Sequence, residues 1–272
     1  MTSVAERRRI FRELHARGCF VIPNPWDVGS ARVLAQLGFQ ALATTSCGFA
    51  WSVGCADNHV TLNQALTHLE AMSAAVDVPV SADFEGGFGV DPAGVAVNVA
   101  SAAATGIAGL SIEDSTHEPS TPLFDFSLAV DRIRAARQAI DDSGTNLLLT
   151  ARTEGFIAGR PDLQETIRRL TAFAEAGADC LYAPGIRDQT ALATIVAAVA
   201  PKPVNVGVGS DFTTVSELAA IGVRRISVGG SLARAAWTGF LQAATEIAEH
   251  GTFTNLARAV PGDQLNRRFG RK

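Results

Sequence analysis

The feature that most restricts this chain is a repeated stop signal. Leu37-Gly38-Phe39, Thr105-Gly106-Ile107, Ala176-Gly177-Ala178 and Ile221-Gly222-Val223 each end a stretch of helically spaced apolar residues, and a β-rich run follows at once. Glycine suits the left-handed position that closes a helix, so each triplet marks a helix end leading into a buried strand. The β-rich runs fall at residues 19–22, 41–45, 78–83, 109–113, 147–152, 179–183, 203–206 and 225–228. Helix starts punctuate the stretches between them. Asp91 before Pro92 reads as an N-cap with a first-turn proline, and Thr61 with Gln64 and Thr214 with Glu217 fit the capping-box spacing. Eight strands alternating with helices require parallel pairing through right-handed crossovers. Eight such units close into an α/β fold of the (β/α)8 TIM-barrel type. An open doubly wound sheet competes, but no GxGxxG turn follows the first strand. Barrels of this class run to about 250 residues as one domain. No linker or low-complexity stretch divides this chain, so residues 1–272 read as a single barrel domain with 250–272 as a C-terminal helical extension.

Composition excludes several roles. The net charge is −4 and the pI about 5.7, so no overall field draws the chain to nucleic acid or an anionic membrane. No apolar stretch of signal-peptide length lies in residues 1–18, and no run approaches the ~18 apolar residues that span a bilayer. Cys19, Cys47, Cys55 and Cys180 form no CxxC and no zinc spacing, and read as reduced thiols. The expectation is a cytoplasmic enzyme with a small-molecule substrate, and with neither nucleic acid nor membrane as partner.

In a barrel the chemistry lies at the C-terminal ends of the strands. Strand 3 runs into Asp83-Phe84-Glu85, strand 4 into Glu113-Asp114 and strand 5 into Arg152-Thr153-Glu154, while Asp57 lies in the loop after strand 2. Carboxylates converging on one mouth repel one another unless a cation lies between them. Oxygen-only donors point to a hard cation, Mg2+ or Mn2+, rather than zinc. The plainer alternative is an ion-pair network of Arg152 with Asp83 and Glu113. Glycine-rich loops at 207–210 and 229–231 raise a phosphate cradle as a rival, although glycines there also simply turn a strand into a helix. The only lysines are Lys202 and Lys272, and neither follows a strand end where Schiff-base chemistry would need it. Among the histidines, only His117 falls in a loop at the catalytic rim; His15, His68 and His250 fall in outer helical stretches.

Thr44-Thr45-Ser46-Cys47-Gly48, the run Asp83 to Gly89, Ser111-Ile112-Glu113-Asp114 and Ala151-Arg152-Thr153-Glu154 together resemble the isocitrate lyase/phosphoenolpyruvate mutase superfamily. The likeness takes in Asn24-Pro25-Trp26-Asp27 and extends over about residues 11–233. Members of that superfamily act on 2-oxo acids or their precursors through an Mg2+-bound enolate, making or breaking C–C or P–C bonds. The resemblance implies Asp83 as the direct metal ligand, with Asp57, Glu85 and Glu113 holding the metal through its waters. It implies Thr45, Ser46, Cys47 and Gly48 as the cradle of the substrate carboxylate, Ser46 and Arg152 as catalytic groups, and Asn205 as a contact for the distal carboxylate. Relatives form tetramers that exchange a C-terminal helix. The eighth helix reads as residues 238–249, and Phe253, Leu256, Val260 and Leu265 beyond it point to a homodimer or homotetramer.

Departures from the superfamily pattern bear on the reaction. The lyases carry a Lys-Lys/Arg-Cys-Gly-His gate after strand 4, and this chain has neither cysteine nor lysine in residues 115–125. The mutase Lys-x-Asn-Ser gate is absent too, Pro184 stands where relatives place a histidine or glutamate, and Glu85 replaces the usual aspartate. The resulting expectation is an Mg2+-dependent C–C lyase for a small 2-oxo or 2-hydroxy di-acid. Its loop 115–125 would close over substrate, with His117 as acid/base. The alternatives are a mutase or hydrolase for a phosphonopyruvate- or oxaloacetate-type substrate, and a non-catalytic barrel that binds a 2-oxo acid.

Overall fold

A computed structural model describes residues 2–270. Eight parallel strands, β1 (Phe20–Ile22), β2 (Leu42–Ala43), β3 (Val80–Asp83), β4 (Gly109–Glu113), β5 (Leu148–Arg152), β6 (Cys180–Tyr182), β7 (Val204–Gly207) and β8 (Arg225–Ser227), follow the sequence reading to within two residues at nearly every end. They pair in the order β1-β8-β7-β6-β5-β4-β3-β2. The remaining seam between β1 and β2 is crossed by the Ala43 N–H donating to the Pro23 carbonyl at 3.1 Å. Around the strands lie α1 (Val4–Ala16), α2 (Val28–Gln36), α3 (Ser46–Ser52), α4 (Leu62–Ala75), α5 (Pro92–Ala104), α6 (Phe126–Asp142), α7 (Leu163–Glu175), α8 (Gln189–Val199), α9 (Val215–Ala220), α10 (Ser231–His250) and α11 (Gly262–Phe269).

The local signals act as their chemistry predicts. Gly38, Gly106, Gly177 and Gly222 all take left-handed backbone, with φ between +85° and +106°. Asp91 caps α5 by accepting from the Gly94 N–H, and both expected capping boxes form.

Two features depart from the expectation. The helical stretch around His15, expected on the outside, forms α1, which closes the bottom of the barrel with Phe11 fully buried and His15 buried beside it. Gly109 makes room for it: a Cβ there would lie 2.6 Å from the Phe11 ring. The eighth helix begins at Ser231, not at residue 238, so α10 is 20 residues long. It buries only Ala233, and leaves Phe240 59% and Leu241 55% exposed. Past it, the chain returns through α11 to α2, where Gln36 Nε2 donates to the Arg268 carbonyl at 2.7 Å. No helix among the described residues is long and apolar enough to cross a membrane.

Candidate active site

The mouth is organised around Asp83 at the end of β3. One carboxylate oxygen accepts from the Ser46 N–H at 3.0 Å and the Ser46 hydroxyl at 2.9 Å. Thr45 places Ser46 by capping α3, and the Asp83 N–H donates to Thr44 Oγ1 at 2.9 Å. The other Asp83 oxygen faces Arg152 Nη1 at 3.3 Å. Both Ser46 donors are therefore committed to Asp83, and that serine positions the carboxylate in this state. Gly48 packs so tightly behind it that a Cβ would lie 2.7 Å from Thr45 Cγ2 and 2.9 Å from Trp26 Cβ. Cys47 Sγ lies 3.2 Å from Thr45 Oγ1.

Arg152, from the end of β5, is the hub. It pairs with Asp83, with Glu113 at 3.4 Å and with Glu154 through two nitrogens, and its guanidinium lies 5.3 Å from the centre of the Tyr182 ring. Burial alone would lower its pKa, but Glu154, Glu113 and Asp83 together hold it well above the usual value. The ion-pair network foreseen as the plainer alternative is thus present. It does not neutralise the mouth. Burial pushes the Glu113 carboxyl well up against the pull of Arg152, with Glu154 adding to the rise. Burial, followed by the charges of Asp83 and Asp57, pushes Glu85 up to about 7. Desolvation and Asp83 likewise raise Asp57 at the rim.

Those shifts describe oxygen donors short of positive charge. Among the described residues no three His, Cys, Asp or Glu side chains stand close enough to ligate a metal ion together. A hard cation that keeps most of its waters needs only one or two direct carboxylates, so Asp83 with Asp57, Glu85 and Glu113 behind water fits such an ion by donor chemistry.

His117 Nε2 faces Glu113 at 3.4 Å, and burial lowers its pKa. Its loop is tied into a small hairpin. Ser115 and Leu123 form an antiparallel bridge, and the Thr116 N–H donates to the Pro122 carbonyl at 3.0 Å. Asn205 is below the rim: its Nδ2 donates to Ser227 Oγ at 2.9 Å and its Oδ1 accepts from Arg225 Nε at 2.8 Å. The Gly229 N–H, part of the suggested phosphate cradle, donates instead to Asn24 Oδ1 at 2.9 Å.

Sequence reasoning gave no supporting role to Asp114 and Asn24, which it named, and passed over Arg132. Buried Asp114 accepts from Thr153 Oγ1 at 2.7 Å, the Glu154 N–H at 2.9 Å and Arg169 Nη1 at 3.1 Å, which fixes the turn after β5. Buried Arg132 on α6 donates to the carbonyls of Glu113 (3.0 Å), Gly89 (3.0 Å) and Gly86, and lies 4.0 Å from the Phe124 ring centre. It thereby clamps the left-handed loop of Glu85, Gly87 and Phe88, with φ of 47°, 75° and 53°. Its signal was legible: an arginine in helical register with the apolar Ala129, Ile133 and Ala136. Asn24, at the end of β1, ties three strands by donating to the Thr44 carbonyl and accepting from Val228 and Gly229.

Ionisable side chains gathered on the carboxyl ends of parallel strands define an α/β-barrel of the enzyme class. The model of the phosphoenolpyruvate phosphomutase family matches residues 11–248, and the chain belongs to that family, within the phosphoenolpyruvate mutase/isocitrate lyase superfamily. It is 33% identical to an uncharacterised Mycobacterium tuberculosis protein over 95% of both chains. It is also 33% identical to the oxaloacetate decarboxylase of Pseudomonas fluorescens, over 66% of this chain and 63% of that one. Among solved structures, a Burkholderia cenocepacia J2315 protein provisionally described as a lyase/mutase superposes with a TM-score of 0.95, at 49% identity and 98% coverage of both chains. The superfamily member 2,3-dimethylmalate lyase gives 0.85 at 28% identity, covering 99% of this chain and 95% of that one.

Proposed function

We propose that the chain is an Mg2+-dependent carbon–carbon lyase for a small 2-oxo or 2-hydroxy dicarboxylate. The observation that carries this reading is the arrangement of Asp83, fixed by two Ser46 donors, beside a buried Arg152 in a mouth whose other carboxyls are short of positive charge. A divalent cation, when bound, supplies a Lewis acid beside the oxygen on which negative charge develops. This chain's own residues do the rest. Asp83, with Asp57, Glu85 and Glu113 behind water, would hold the ion, and Arg152, which pairs with Asp83, Glu113 and Glu154, would bind a substrate carboxylate. Glu154 holds its guanidinium through two nitrogens, with the Tyr182 ring centre 5.3 Å away. Ser46 turns from Asp83 to the substrate carboxylate, beside Thr45, Cys47 and Gly48. His117, whose pKa burial lowers, would move a proton at the reacting carbon.

A mutase or hydrolase acting on a phosphonopyruvate- or oxaloacetate-type substrate is the second reading, and the phosphomutase description of the matching family favours it. Purified protein with Mg2+ should be offered oxaloacetate, methylisocitrate and phosphonopyruvate side by side. C–C cleavage of either of the first two without uptake of water supports the lyase, and hydrolysis of oxaloacetate to oxalate and acetate, or turnover of phosphonopyruvate alone, replaces it with the second reading. Binding without turnover of any of them would leave a 2-oxo-acid-binding barrel.

The same reading takes the chain as a homodimer or homotetramer. Support comes from α10, whose apolar side chains, continued by Phe253, Leu256 and Val260, are too many for a solvated tail. A monomeric mass by light scattering at micromolar concentration would count against it.

A further inference from the structure

The barrel interior below the mouth is open where such barrels are usually packed with bulky branched side chains. Ala43, Ser81 and Ser111 are small, and one cavity of about 150 Å3 runs from Ser46 and Asp83 at the rim down to Arg225. That volume is room for several waters or one small organic acid.

Arg225 at its floor is 5% exposed. Every protein group it meets is uncharged. Its Nε donates to Asn205 Oδ1 at 2.8 Å, one Nη to Thr150 Oγ1 at 3.1 Å and the other to His15 Nε2 at 3.3 Å. His15 gives its Nδ1 proton to the Phe11 carbonyl at 2.7 Å, so its Nε2 is a neutral acceptor, and burial followed by the Arg225 charge lowers its pKa to about 3. Among the described residues no carboxylate lies within ion-pair distance of Arg225, although Asp57 and Asp83 line the same cavity. A buried guanidinium without a counter-charge is costly. Three of its five N–H groups have protein partners, which leaves two.

We infer that Arg225 is an anion subsite at the bottom of the substrate well and takes the carboxylate at the end of the substrate remote from the reacting bond. The inference rests on the dicarboxylate reading above and deepens it. Asn205 is then a positioning residue: with both ends of its amide held by Ser227 and Arg225, it sets the guanidinium plane rather than gripping the carboxylate itself. The well thus measures substrate length, from the rim ligands to Arg225, and rejects monocarboxylates by leaving a buried cation unmatched.

Two measurements test this. Calorimetry on Mg2+-saturated protein, with succinate and butyrate as unreactive probes, should give succinate at least tenfold tighter binding. Arg225→Met should erase that preference, and Arg225→Lys should restore part of it. An unchanged preference in a folded Arg225→Met variant overturns the subsite. Should that variant not fold, wild-type crystals grown in bromide decide: an anomalous peak against the Arg225 Nη atoms supports the subsite, and bromide confined to the rim overturns it. Bromide at Arg225 with neither acid binding would uphold the anion site while removing the dicarboxylate reading.

Discussion

Strands β3, β4 and β5 end in Asp83, Glu113 and Arg152, whereas β6, β7 and β8 carry Tyr182, Asn205 and Ser227 on the opposite wall of the same well. The first wall is charged and unbalanced; its carboxyls at Glu113 and Glu85 are held above their usual values chiefly by burial. The second wall is neutral at the level of Tyr182, Asn205 and Ser227, above Arg225, and those groups hydrogen-bond one another, as in the bond from Asn205 to Ser227. A charged wall responds to whatever cation and pH it meets, because buried charge is stabilised only by opposite charge close by. A wall of neutral hydrogen bonds does not. Metal loading and pH should therefore act on one side of the barrel and leave the other indifferent.

The strongest way to break that comparison is Asp83→Ala. Removing the carboxylate that would bind the metal directly should abolish Mg2+ binding by calorimetry and reduce turnover to background. Ser227→Ala on the neutral wall should leave Mg2+ affinity within about twofold, since hydrogen-bond changes far from the ligands couple weakly. Near-normal turnover of Asp83→Ala with unchanged Mg2+ dependence would move the metal elsewhere.

A smaller effect is expected at His117, the side chain of the changed gate loop that faces the charged wall. His117→Ala should lower kcat by about 10²-fold with little change in KM, as removal of a general acid or base does. An unaltered kcat would reduce residues 115–125 to a lid.

The difference between the walls also decides how much the sequence disclosed. The eight strands and their stop glycines were legible because each glycine answers a local backbone need, as the φ of +106° at Gly177 shows. The charged rim was legible for a similar reason, since Asp83, Glu113 and Arg152 close successive strands and barrels place chemistry there. Arg225 was not. It opens β8 and reaches inward to Thr150 on β5 and His15 on α1, contacts separated by 75 and 210 residues. Nothing in local spacing announces partners at that range, and an arginine beginning a strand reads as a surface residue. A helix start was legible at Ser231, yet the eighth helix itself was read only from residue 238, for a different reason. Alanines and glycines from Gly229 to Gly239 lack the periodic large apolar residues that mark a packed helix, and the helix buries only Ala233.

The finest probe of the comparison is Glu85→Gln. In the folded protein Glu85 is raised from 4.5 to about 7, by burial first and then by Asp83 and Asp57. A carboxyl whose folded value exceeds its unfolded one favours folding fully below the unfolded value, and that contribution is lost as pH rises through the folded value. Metal-free protein should therefore lose stability between about pH 5 and pH 8, with Glu113 and Asp57 acting in the same direction. Glutamine keeps the shape and removes the charge. In EDTA, Glu85→Gln should flatten that decline and raise Tm at pH 8 by about 2–4 °C, the response of a chain this size to roughly 1 kcal/mol, while leaving Tm at pH 5 nearly unchanged. With Mg2+ the order reverses, since the variant has lost an oxygen that would hold the ion's waters and should bind it more weakly without failing to bind. Calorimetric scans from pH 5 to pH 8, with EDTA and with Mg2+, read both effects. A metal-free Tm at pH 8 that falls in Glu85→Gln would mean that Glu85 is already paired with a cation of the protein itself, and the imbalance between the two walls would be illusory.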